Sequence, residues 1–163
     1  MVFHTHDEIA ELYDRYADML YRIALTHTCS CDDASDAVHD AFVKFVGCPR
    51  RFNDEEYAKA WFIRVVINKC HDIARKKSIR NHVPLDEVYS LAAEEDRLPE
   101  NVKIMLEGIP EIYRTVVILH YLEDLSLEQI AKTLDISLSS VKMRLKRARE
   151  YIKEKHKKEE FYV

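Results

Sequence analysis

The sequence predicts an all-α protein of two small helical domains. Apolar residues recur almost throughout at spacings of three and four, and period-two alternation is hard to find. Only two glycines, Gly47 and Gly108, and four prolines punctuate the 163 residues. Ser or Asp stands at the start of the longer periodic stretches, where helix starts need a side-chain acceptor for an orphan backbone N–H.

From Asp7, a plausible cap, Ile9, Leu12, Tyr13, Tyr16, Leu20, Ile23 and Ala24 form one stripe, and the first helix should end near Thr26. Asp32 is positioned to cap a second helix with the stripe Ala34, Ala37, Val38, Ala41, Phe42, Phe45 and Val46, ended by Gly47 and Pro49. Its other face carries Asp33, Asp36, His39, Asp40 and Lys44. The polar connection Pro49–Asn53 leads to a third helix from about Asp54 to Lys76, with Trp61, Phe62, Val65, Val66, Cys70 and Ile73 able to pack inward. Phe52 in that connection, an aromatic in a basic loop beside Asn53, is a candidate base-stacking surface; a core role is the competing reading.

Residues 78–97 mix Pro84 with a broken apolar pattern and the acidic run Glu94–Asp96, which reads as a linker between a first domain of residues 1–77 and a second of residues 98–163. In the second, a helix runs through Leu106 to Gly108, and Pro110 opens the next. That helix leads into Ser126–Arg149, where two amphipathic patterns of about eight and fifteen residues meet at Asp135-Ile136-Ser137. Ser126 and Gln129 have capping-box spacing, Asp135 occupies a corner where positive φ is expected, and Ser137 can cap the second helix. This is a helix-turn-helix pattern. Leu138, Val141, Leu145, Ala148 and Ile152 face the first helix; Ser139, Ser140, Met143, Lys146 and Arg147 face away, flanked by Lys142 and Arg144.

The formal net charge is -4, but it is unevenly spread. Residues 141–163 hold nine Lys/Arg against four Asp/Glu, and Arg75, Lys76, Lys77 and Arg80 form a second basic island. Two islands on an acidic chain suggest two nucleic-acid contacts, with the acidic remainder left for a protein partner. No apolar run reaches the length of a membrane span and no secretory leader is evident, so a cytoplasmic protein is expected. P-loop, HExxH and nucleophile-elbow signatures are absent. His27, Cys29, Cys31 and Cys48 lack the usual zinc spacing, so neither a metal nor another cofactor is expected.

The ordered stretches IAELYDRYADMLYRIAL (Ile9–Leu25), DDASDAVHDAFVKF (Asp32–Phe45), AWFIRVVINKCHDIAR (Ala60–Arg75) and IPEIYRTVVILHYLEDLSLEQIAKTLDISLSSVKMRLKRARE (Ile109–Glu150) resemble bacterial RNA polymerase sigma factors of the extracytoplasmic-function (ECF) type. The first three resemble region 2, the last region 4. The resemblance implies a non-enzymatic factor that binds core polymerase through the beta-prime clamp helices and the beta flap, and directs initiation at promoters, with a cognate anti-sigma factor as a further candidate partner. It implies that Asp36, His39, Asp40 and Phe42 contact core polymerase. Phe52, Asn53, Lys59, Trp61, Arg64 and Asn68 would capture the -10 element. Ser139, Ser140, Lys142, Met143, Arg144, Lys146 and Arg147 would read the -35 element. The alternative is a stand-alone helix-turn-helix regulator whose first domain is a sensor or dimeriser.

Overall fold

A computed structural model describes residues 4–49, 51–82 and 104–161, with side chains to residue 158. The chain is all-α and divides into two compact units, Met1–Arg97 and Leu98–Val163. Most of the expected linker, and the start of the helix expected through Leu106, lie outside the described residues.

In the first unit, α1 (His6–Thr28), α2 (Cys31–Val46) and α3 (Glu55–Asn81) each pack against the other two. Leu20 and Ile23 of α1, Ala37 and Phe45 of α2, and Phe62, Ile63 and Val66 of α3 are at most 1 % exposed. The apolar face of α3 is wider than the sequence pattern suggested, because that helix packs on two neighbours. Ile63, Ile67 and Ala74 are buried as well, whereas Ile73 is half-buried. Tyr13 and Val46, expected in the inward stripes, are instead 52 % and 43 % exposed, at the edges of their packing faces.

The helix starts also differ. Thr5 caps α1, not Asp7, in a reciprocal capping box with Glu8. Ser30 caps α2 by accepting from the Asp33 N–H, which leaves Asp32 in the first turn, where its charge opposes the positive helix end. α1 ends two residues late, at Thr28, with Cys29 in the left-handed region. α3 begins after Asp54 as expected but continues past Lys77 to Asn81, and the Lys77 ammonium bonds the Asp33 carboxylate of α2.

In the second unit, residues 104–106 are helical and Gly108 follows at φ 79°. α4 (Glu111–Val117) starts directly after Pro110, without a side-chain cap, and runs directly into a π turn, Ile118–Leu122. α5 (Leu127–Leu134) and α6 (Leu138–Phe161) follow. Both α4 and α5 pack on α6, where Val141, Leu145 and Ala148 are at most 1 % exposed. α6 has 24 residues, not about fifteen; its last turns are highly charged and continue the helix beyond the apolar stripe.

Candidate nucleic-acid interface

The helix-turn-helix is built from local contacts. The Gln129 N–H donates to Ser126 Oγ at 3.1 Å, and the Ser126 N–H to Gln129 Oε1 at 2.9 Å. Asp135 ends α5 at φ 54°, and the Ile136 N–H bonds the Ala131 carbonyl at 3.0 Å, which turns the chain sharply. Ser137 caps α6: its Oγ accepts from the Ser140 N–H at 3.1 Å and donates to Ser140 Oγ at 2.9 Å.

On α6, Ser139, Lys142, Met143, Lys146 and Arg147 are exposed, and Ser140 and Arg144 are half-buried. The seven share the side of α6 away from the buried Val141–Leu145 stripe, with Lys142 and Arg144 at its borders. Ser140 is engaged in the cap. Arg147 Nη1 donates to Glu150 Oε2 at 3.3 Å one turn on. The result is an exposed helix with cations on both flanks and an apolar tip, Met143, between them. A major groove accepts such a helix.

In the first unit, Trp61, Arg64 and Asn68 lie on one face of α3, at spacings of three and four. Lys59 does not join them: it lies about 160° around the helix axis from Trp61. Phe52 is half-buried, with its ring 5.8 Å from Phe45, 5.4 Å from Trp61 and 5.7 Å from Tyr57. Asn53 beside it is exposed. Phe52 is thus both part of the core and the rim of a cleft.

That cleft, of about 450 Å³, has Tyr16, Phe45 and Phe52 among its walls, with Arg15, Arg51, Asn53 and Glu55 among its polar groups. Arg15 is held by Glu11 at 2.8 Å and Glu55 at 3.2 Å. The Tyr16 hydroxyl donates to the Glu55 carbonyl at 3.3 Å, and burial, then the Glu55 charge, pushes its pKa up. The sequence pattern did not bring out Arg15, which lies far from Phe52 in the chain, whereas Arg51 belongs to the basic connection that carries Phe52 and Asn53.

On α2, Asp36 and His39 are exposed, while Asp40 is ion-paired with Lys44 at 3.3 Å and with Lys69 of α3 at 3.7 Å. Phe42 points the other way. It is 7 % exposed, with its ring 4.8 Å from Phe62 and 5.0 Å from Tyr13, so it supports this face from beneath. Val43 and Val46, unassigned or misassigned from sequence, continue the outer face as exposed apolar groups. Helical phase was the available signal, since Asp36, His39, Val43 and Val46 recur at spacings of three and four.

Among the described residues no cluster of three or more His, Cys, Asp and Glu side chains is placed to hold a metal ion, and no helix is long and apolar enough to cross a membrane. His27 and Cys29 are buried, Cys31 and Cys48 are half-buried, and none of the three cysteines is in a disulfide.

Comparison with known proteins agrees with this layout. Residues 12–79 match the family described as Sigma-70 region 2, and residues 100–152 match Sigma-70, region 4. The chain is 33% identical over 132 residues to the RNA polymerase sigma factor SigV of Bacillus subtilis, covering 78% of each chain. It is 27% identical over 164 residues to the ECF RNA polymerase sigma factor SigW of the same organism, covering 90% of this chain and 88% of SigW. Among solved structures, it is similar to the sigma factor RpoE in complex with the anti-sigma factor NepR from Bartonella quintana. The TM-score is 0.69 at 18% identity, covering 92% of this chain and 97% of that one. The two sigma regions in order, with a curated relative matched over most of its length, place the chain in the ECF family of RNA polymerase sigma factors.

Proposed function

We propose that this ECF sigma factor divides promoter recognition between its two units. The first engages core polymerase and the -10 element, and the second reads the -35 element. The observation that carries the reading is the exposed basic face of α6, presented by a capped helix-turn-helix in a chain whose net charge is -4. So small a cationic surface on an acidic protein gives weak DNA affinity alone. Joined to polymerase, it becomes one of two contacts held together, and their affinities multiply through effective concentration.

In this reading Ser139, Lys142, Met143, Arg144, Lys146 and Arg147 meet the -35 duplex, and Ser140 holds the helix start. Arg147 and Lys146 read base edges, Met143 packs on a thymine methyl, and Lys142 and Arg144 neutralise phosphates. Trp61, Arg64 and Asn68 meet the displaced -10 strand. An unstacked base enters the cleft beside Phe52 and Asn53, whose aromatic wall supplies stacking and whose rim supplies donors and acceptors. Lys59 serves phosphate at a separate point. Asp36, His39 and Asp40, together with Val43 and Val46, dock on the clamp helices, and Phe42 keeps that face rigid. The beta flap receives the second unit.

Bond making belongs to the polymerase, and the factor acts in the cytoplasm with it. A cognate anti-sigma factor is a further partner, supported by the complex of RpoE with the anti-sigma factor NepR among the similar solved structures. Transcription reconstituted from core polymerase and this chain tests the reading. Transcripts should start at a fixed distance from paired -10 and -35 elements and disappear when either is scrambled. Core binding without promoter-dependent initiation would refute it.

A further inference from the structure

Arg149 belongs to none of the sets of residues assigned above, yet it is an exposed cation of α6 with a bond to a distant part of the fold. Its Nε donates to the Tyr121 hydroxyl at 2.9 Å, across 28 residues of sequence. Tyr121 lies in the π turn that joins α4 to the helix-turn-helix. Such turns are uncommon and frequently mark functional positions.

The turn is fastened at both ends. The Glu123 N–H bonds the Ile118 carbonyl at 3.1 Å, and the Leu125 N–H bonds the Leu119 carbonyl at 2.9 Å. His120 Nδ1 lies 2.9 Å from the Leu125 carbonyl; a carbonyl only accepts, so that nitrogen carries the proton. The His120 ring meets Tyr121 at 4.9 Å with the planes 68° apart. Tyr121 is therefore held in place although it is 47 % exposed.

We propose that Arg149 binds a backbone phosphate at the edge of the DNA-reading face, and that Tyr121 is the residue that positions it. The proposal rests on the reading of α6 as the -35 helix. Lys142, Lys146, Arg149 and Lys153 are all exposed and recur at spacings of four, three and four, a strip of about 16 Å along one flank. The residues three and four positions from Arg149 are Leu145, Lys146, Ile152 and Lys153, so no carboxylate stands where a helical ion pair would form. Arg147, by contrast, is paired with Glu150.

A neutral phenol is the tether such a site needs. A carboxylate would orient the guanidinium but also cancel its charge and compete with the anion. The hydroxyl takes only Nε, and the paired Nη1 and Nη2 donors stay directed outward as a two-pronged fork for phosphate oxygens. Ordering a long, flexible side chain before the DNA arrives removes part of the entropy cost of the contact.

The test is equilibrium binding of the reconstituted holoenzyme to a promoter fragment over a range of salt, with wild type, R149A, R149K, Y121F and the double variants Y121F/R149A and Y121F/R149K. Loss of one phosphate contact takes about 0.9 from the log–log salt slope, so between ~50 and ~200 mM salt the wild type should lose roughly 3.5-fold more affinity than R149A. Y121F should bind roughly two- to fivefold more weakly with the slope unchanged, as the charge remains but its orientation is lost. In the R149A background Y121F should have no further effect. R149K should keep the wild-type slope and be insensitive to Y121F.

An unaltered slope in R149A would overturn the proposal. So would an equal effect of Y121F with and without Arg149, which is what a merely structural tyrosine would give. A promoter with a scrambled -35 element separates the two levels. If wild type fails to discriminate against it, the reading of α6 falls; if it discriminates while R149A keeps the full slope, only the role of Arg149 does.

Discussion

Phe52 lies nearly parallel to Phe45, the ring planes 13° apart and the centroids at 5.8 Å, so a candidate base-stacking residue is itself stacked on the core. Phe45 is 1 % exposed, whereas Phe52 keeps part of its surface in the cleft. Phe52→Ala removes both contributions. It should destabilise the first unit by about 1–3 kcal/mol, less than the ~3–5 kcal/mol of a fully buried phenylalanine. Phe52→Leu separates the roles. It should cost under ~1.5 kcal/mol of stability, yet weaken holoenzyme binding to a single-stranded -10 oligonucleotide by about 1–3 kcal/mol if a base stacks there. Thermal denaturation and strand binding measured on the same variant check this, and unchanged strand binding would leave Phe52 a core residue only.

The outer face of α2 offers a cleaner test at Val43 than at Asp40. Asp40→Arg would set a guanidinium beside Lys44 and Lys69, so loss of core binding would be accompanied by repulsion within the domain. Val43 is 54 % exposed and solvates its side chain to no structural end that the fold reveals. Val43→Lys should change stability by no more than about 0.5 kcal/mol while sharply reducing holoenzyme formation in a pull-down or competition assay. Wild-type holoenzyme yield would remove Val43 from the docking face.

What could be read without coordinates was mostly what neighbours in sequence decide. Ser126 and Gln129, Asp135 and Asp54 act within one turn of the chain, and each does in the structure what its position implied. Thr5 was equally local, since Thr5 and Glu8 have the same spacing as Ser126 and Gln129, and that reciprocal pair outcompetes Asp7. Tyr13 and Val46 were not legible, because periodicity assigns a face but not where the neighbouring helix stops covering it. The cleft draws on Arg15, Phe45 and Arg51 from three separate stretches, and the Tyr121–Arg149 bond spans 28 residues. Such sites exist only after packing.

The cap of α1 should make the first unit sensitive to acid. The Thr5 N–H bond to its carboxylate holds the Glu8 pKa below the ordinary carboxylate value. Because the folded-state pKa is lowered, the contribution is complete above the unfolded-state value and is lost as pH falls through the folded one. Glu8→Gln keeps an acceptor for the Thr5 N–H but does not titrate, so the variant should lose less stability than wild type across that acid range. Melting temperatures over a pH series check the sign. Thr5→Ala should cost about 1 kcal/mol at neutral pH through the other half of the box.

Arg147 is exposed but not unoccupied, since Glu150 holds it at 3.3 Å. Pairs this exposed are worth about 0.2–1 kcal/mol, so releasing Arg147 with Glu150→Gln should strengthen promoter binding by up to roughly fivefold. Arg147→Ala should weaken transcription from a cognate promoter, by about 1–3 kcal/mol if the contact is a bidentate one to a base, with core binding intact. Equal loss of core binding and transcription would place Arg147 outside the reading set.

Asp135 holds φ 54° at the corner between α5 and α6, a conformation that strains any side chain bearing a Cβ. Relief of that strain by Asp135→Gly is worth about 1–2 kcal/mol, offset by about 0.5–1 kcal/mol for the extra freedom glycine brings to the unfolded chain. The difference predicts a gain of up to about 1.5 kcal/mol in the second unit. The corner's main fastening, the Ile136 N–H to the Ala131 carbonyl, is backbone and survives the change. α6 should therefore keep its orientation, and the choice of -35 sequence should be unaltered while the melting temperature rises. Asp135→Val supplies the opposite sign, because a β-branched residue is the least tolerant of positive φ. A shift in promoter preference with glycine would show that the aspartate side chain itself sets the angle of the reading helix.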